Sequence, residues 1–123
     1  MATISKNKNV VINRGDTFLL PVELNVGSGA RPDYHEMVDG DMLYFALLEP
    51  NQKWEDAILK KVFDAKNWAN NKENIPFSSE DTEYLMPGKY YYQVKLYIAK
   101  DYRMNNNESV TTVVPRRSFI ILE

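Results

Sequence analysis

The densest collection of chemically capable side chains is PDYHEMVDGD, residues 32–41, which holds Asp33, His35, Glu36, Asp39 and Asp41. A histidine among carboxylates suggests two chemistries: a cation site, or the base-and-orienter arm of a nucleophilic triad. A hard cation wants several oxygens converging at fixed spacing, and the D-x-[DN]-x-[DN]-G loop pattern is not matched here. His35 is the sole histidine and there is no cysteine, so one chain cannot assemble a multi-histidine or thiolate site. A triad would have to use His35, and no nucleophile-elbow sequence accompanies it. The five glycines are dispersed, and Gly27-Ser28-Gly29 opens no helix that could cradle a phosphate. The other carboxylates fall in apparent turns, without sign of a buried pair. Residues 33–41 therefore read as a solvated acidic loop, with a weak cation site as the most it could offer. The sequence reads as that of a non-enzyme that carries no cofactor and no metal.

Aromatic rings are the other candidate. GKYYYQVKLY places Tyr90, Tyr91, Tyr92 and Tyr97 in one run, and Trp54 and Trp68 lie in polar stretches read as loops, where each is expected to pack down as an anchor rather than stay exposed as a binding ring. Exposed rings on a sheet face can stack on sugars, which gives a carbohydrate- or surface-binding module. The two-residue period of a strand divides the tyrosines, however. Tyr90, Tyr92, Val94, Leu96 and Ile98 share one face; Tyr91, Gln93, Lys95 and Tyr97 share the other. Tyr90 or Tyr92 suits a corner in which the hydroxyl ties back to upstream backbone. Tyr91 and Tyr97 are left free for a partner. Arg14-Gly15-Asp16 spells an adhesion tripeptide but reads as a turn, with Gly15 taking the unusual backbone angles.

The elements that must position these residues are strands. NVVIN (9–13) is a short apolar run, and TFLLPVELNV (17–26) is a strand whose Pro21 places it at an edge or bulge. Residues 27–41 form a long loop. DMLYFALLEP (41–50) is apolar on both parities, which predicts a strand covered on both faces. If its outer side is open instead, Met42, Tyr44 and Leu48 join Tyr91 and Tyr97 as an interface. AILKKVFD (57–64) and IPFSS (75–79) are further strands, residues 65–74 are turn-like, and SEDTEYL could make one helical turn. Two long strands joined by the tip KDYRMNNNES close the chain. The fold class is all-β: an immunoglobulin-like antiparallel β-sandwich of about seven strands.

The 123 residues suffice for one domain, 1–123, with residues 1–8 as an extended arm. A net charge of -2 offers no basic surface for nucleic acid. No apolar run approaches the roughly 18 residues that cross a bilayer, and the N-terminus shows no secretory h-region.

The segments INRGDTFLLPVEL, DGDMLYFALLEP, AILKKVFD, FSSEDTEYLMPGKYYYQVKL and VTTVVPRRSFIIL together resemble the small immunoglobulin-like domain of tailed-phage virion proteins. That domain is best known at the N-terminus of baseplate upper proteins, with related head-decoration and neck components. The shared features are a Gly15-Asp16-Thr17 turn, an Asp39-Gly40-Asp41 turn before a strand bearing Phe45, and a corner of Thr82, Leu85, Pro87, Gly88, Tyr90 and Tyr92. The likeness spans about residues 9–122. It implies a structural role in the virion, docking on capsid, neck or baseplate proteins, alone or as a homo-oligomer. It supplies no catalytic residue. Baseplate upper proteins continue into further domains, whereas this sequence stops at Glu123, so the resemblance points to a small accessory subunit.

Overall fold

The computed structural model describes residues 2–26 and 33–123. Strand accounts for 52% of it and helix for 14%. In chain order the strands are β1 (Thr3–Ile4), β2 (Val10–Asn13), β3 (Phe18–Pro21), β4 (Asn25–Val26), β5 (Asp33–Tyr34), β6 (Met42–Leu48), β7 (Leu59–Asp64), β8 (Asn74–Phe77), β9 (Gly88–Asp101) and β10 (Asn107–Leu122). Helix α1 (Ala65–Asn70) joins β7 to β8, and α2 (Ser79–Thr82) follows β8. The part of the expected loop at 27–32 lies outside the described residues.

One sheet runs β1-β2-β10-β9-β6-β7, and two-stranded sheets pair β3 with β8 and β4 with β5. All pairings are antiparallel except that of β2 with β10. The expected alternation holds along β9, where Tyr90, Tyr92, Val94, Leu96 and Ile98 are buried and the residues between them half-exposed. The β3–β8 pair packs on this inner face through aromatic rings. Phe18 stacks on Phe77 at 4.5 Å, and Phe77 meets Phe45 at 5.3 Å and Phe119 at 5.6 Å. Such contacts add about 1 kcal/mol per pair to the burial itself. Pro21 ends β3, which among the described residues has β8 as its single neighbour, so the missing N–H costs no ladder bond.

Some expectations change. Residues 2–8 are not an extended arm: β1 pairs with β2, and the intervening turn closes through Ser5 N–H to the Asn9 carbonyl at 2.9 Å. The stretch 65–70, read as a turn, is a helix whose first turn is capped by Asp64, with Asn67 N–H donating to Oδ1 at 2.7 Å. Trp68 rides on that helix with its ring buried against Phe63 at 5.6 Å, which agrees with its expected role as a packing anchor.

Candidate functional site

The carboxylate-rich loop resolves into one latch. Asp41 has 0% exposure, and His35 Nε2 lies 2.8 Å from its Oδ2. The same carboxylate accepts from Val38 N–H at 3.0 Å and Ala99 N–H at 3.0 Å. Burial works to raise the Asp41 pKa, but the bonds from His35, Val38 and Ala99 outweigh it and hold the acid below its ordinary value. Gly40 allows the tight approach, with φ +97° and room for a Cβ only 3.1 Å from that of Ala99. Asp39 and Glu36 remain exposed. Among the described residues no three His, Asp or Glu side chains gather as a cation site would require. The loop thus spends its chemistry on fastening itself to β9. The Asp33 side chain lies outside the described residues.

Arg14-Gly15-Asp16 is a turn tied to the rest of the fold by two backbone donors: Arg14 N–H donates to the Leu122 carbonyl at 2.7 Å, and Gly15 N–H to Thr82 Oγ1 at 2.9 Å. Of the two corner candidates, Tyr90 takes the role, its hydroxyl donating to the Met86 carbonyl at 2.6 Å. Tyr92 does something else. Its hydroxyl reaches the Lys8 carbonyl at 2.5 Å and pins the N-terminal hairpin to the centre of the sheet. Burial pushes that hydroxyl up to about 12.

The face opposite the core is where the expected interface residues meet. Register places Met42 beside Tyr97, Tyr44 beside Lys95 and Leu48 beside Tyr91 on β6 and β9. β7 and β10 extend these rows with Val62 next to Tyr44 and Val110 next to Tyr97. Leu48 leaves the set, because it has no exposed surface. Its cover is the 49–58 connection, which folds back over this end of the sheet. There Lys95 Nζ sits 4.5 Å over the Trp54 ring, and Arg116 donates to the Gln52 and Glu49 carbonyls at 3.4 and 3.3 Å. β6 is therefore covered on both faces at Ala46 and Leu48 and half-open at Met42 and Tyr44. Tyr91 lies at the margin with the Arg116 guanidinium 5.0 Å and Lys89 Nζ 5.6 Å from its ring.

What stays open is a strip two rows deep across four strands: Val62, Tyr44, Lys95 and Thr112, then Asp64, Met42, Tyr97 and Val110. Val62 is 51% and Val110 65% exposed. Tyr97 is fixed by donating to Glu108 at 2.7 Å, and that bond raises the phenol's pKa above its usual value. Sequence reading missed Val62 and Val110. Their signal was the alternation Lys60, Val62, Asp64 and the β-branched run from Val110, which becomes informative only once strand partners are known.

The β9–β10 hairpin beyond this strip is braced from within. Asp101 is 2% exposed and takes bonds from Arg103 Nη2 at 2.6 Å and Ser109 Oγ at 2.6 Å. Arg103 and then Ser109 hold its carboxyl down to about 2. Concavities lie among the described residues as well. One of about 300 Å³ is lined by Tyr34, Glu36, Trp68 and Glu73 among others, and a shallower one of about 380 Å³ by Pro50, Asn51, Tyr91 and Arg116. No helix among the described residues is long and apolar enough to cross a membrane. Neither a family model, nor a curated protein, nor a solved structure matches this chain.

Proposed function

We propose that this protein is a non-enzymatic structural subunit of a tailed-phage virion, an immunoglobulin-like sandwich that docks on capsid, neck or baseplate proteins. The order β2-β10-β9-β6-β7 facing β3-β8, with Tyr90 at its corner, supports the fold assignment. The motifs at residues 15–17, 39–41 and 82–92 support the virion assignment. The observation that carries docking is the open strip of Met42, Tyr44, Val62, Tyr97 and Val110 on the outer face of the large sheet. Exposed contiguous apolar surface on a folded domain marks an interface. Rigid strands and fixed aromatics meet a protein surface at low entropic cost.

The test uses purified particles of the phage that encodes the chain. Quantitative mass spectrometry should find the protein at fixed copy number, and Tyr44→Asp with Val110→Asp should strip it from particles while leaving its melting temperature within a few degrees of wild type. Absence from washed particles would sink the proposal.

The rival reading, a carbohydrate- or surface-binding module, finds three of the rings it relies on already engaged. Trp68 is buried, one face of Trp54 carries Lys95, and Tyr91 lies under Arg116. Saturable glycan-array binding lost in Tyr91→Ala would restore it.

A further inference from the structure

The large sheet ends on one side at two-residue β1 and on the other at six-residue β7, whose one strand neighbour among the described residues is β6. The far side of β7 therefore presents backbone N–H and C=O groups to whatever strand can reach them. Its sequence is Leu59-Lys60-Lys61-Val62-Phe63-Asp64. Lys60, Val62 and Asp64 lie on the outer face, opposite Ala46, Tyr44 and Met42; Lys61 and Phe63 lie on the inner face.

Lysines on an edge strand ordinarily guard it against pairing. Here each has an answer. Lys61 is already neutralised by Asp81 of its own chain at 2.9 Å, on the inner side. Lys60 has no carboxylate at ion-pair distance among the described residues. Its ammonium donates to the Glu55 carbonyl at 2.9 Å and keeps two hydrogens for another acceptor. Exposed Glu55 and Asp56 belong to the turn beside it. Asp64 uses Oδ1 as the cap of α1 and has Oδ2 to spare.

Two copies joined antiparallel about a twofold axis normal to the sheet keep inner face with inner face. A residue can then sit opposite only a residue of its own parity. Centring the axis on Lys60 or on Lys61 sets that lysine against its own copy, and centring it on Asp64 sets acid against acid. Centring on Phe63 faces Asp64 with Val62 and leaves every charge on the edge without a partner. Centring on Val62 places Lys60 opposite Asp64 on one side of the axis and Asp64 opposite Lys60 on the other, with the two Val62 side chains touching between them. Opposite charges directly across a strand pair stabilise it, and like charges oppose it.

We propose that β7 is a self-complementary edge through which a second copy of this chain pairs antiparallel, with the axis at Val62. The two six-stranded sheets become one, and the open strips containing Tyr44 and Val62 of the two copies run together. The pairing stands whether or not the protein belongs to a virion.

The chain lacks cysteine, which makes the register directly testable. Single variants Val62→Cys, Lys60→Cys and Asp64→Cys are oxidised mildly and separated without reductant. Val62→Cys should form a disulfide dimer, because cross-strand Cβ atoms at the axis lie about 5 Å apart. Lys60→Cys and Asp64→Cys alone should not, since each is roughly 13 Å from its own copy along the strand. A mixture of those two should cross-link. Independently, sedimentation of the unmodified chain should show monomer–dimer exchange. Lys60→Glu should weaken it about tenfold as two attractive pairs become repulsive, and adding Asp64→Lys should restore it. A Val62→Cys chain that stays monomeric overturns the proposal. So does a Lys60→Cys chain that cross-links as well as Val62→Cys, or a wild-type chain that never dimerises.

Discussion

Tyr92→Phe separates two contributions of one hydroxyl. At neutral pH the substitution removes the bond to the Lys8 carbonyl, worth about 1 kcal/mol net, and leaves the ring packed on Phe45 at 5.6 Å and Phe119 at 6.1 Å. At alkaline pH the sign reverses. Burial raises the phenol from 10.0 to about 12 in the fold, so the unfolded chain loses its proton first. The wild type is fully stabilised below pH 10 and loses about 1.4 kcal/mol per pH unit from there toward 12, nearly 3 kcal/mol in all. Phenylalanine has no proton to lose. The two stabilities should therefore cross near pH 11, above which the variant is the more stable protein. Urea unfolding at pH 7, 9, 10, 11 and 11.5, read by far-UV dichroism, measures the difference directly. A gap between the two proteins that stays constant over this range would mean that the hydroxyl titrates normally in the fold, and the burial argument would fail.

Asp41→Ala should cost about 2 kcal/mol in urea unfolding, because Ala99 N–H and Val38 N–H lose their acceptor, and His35→Ala should cost less. The Asp101 carboxyl, held down to about 2 by Arg103 and Ser109, contributes stability above the ordinary carboxylate range that is lost as pH falls from about 4 toward 2. Asp101→Asn should flatten that acid limb in thermal melts. Gly40→Ala should cost roughly 1–2 kcal/mol, since the residue combines φ +97° with a Cβ contact of 3.1 Å to Ala99.

Alternation made β9 legible from sequence, since a period of two along Tyr90–Ile98 needs no knowledge of partners. The tyrosine corner was legible for the same reason, because the Met86 carbonyl is four residues away. Helix α1 was not: six residues make too short a window for a 3.6 period, and its evidence was the Asp64 cap and one tryptophan. The burial of Leu48 was equally hidden, being the work of a connecting segment that returns over the sheet. The pinning of Lys8 by Tyr92 spans 84 positions, and local pattern carries no information about such a contact. For the candidate strip, Met42, Tyr44 and Tyr97 came from parity alone, whereas Val62 and Val110 required strand order.

The parallel pairing of β2 with β10 has a temporal consequence. Ser118 bonds Asn9 across 109 positions, and β10 fills the gap between β2 and β9. During synthesis, Val10, Ile12 and the inner face of β9 have no completed core until residues 107–122 emerge. Closing so long a loop is entropically costly and slows the search. Stopped-flow refolding should accordingly be slow and show a single phase. The strip joining Tyr97 to Val110 is made by this same last event. The strip therefore reaches its full width of four strands only when Val110 and Thr112 of β10 have joined the rows begun by β7, β6 and β9.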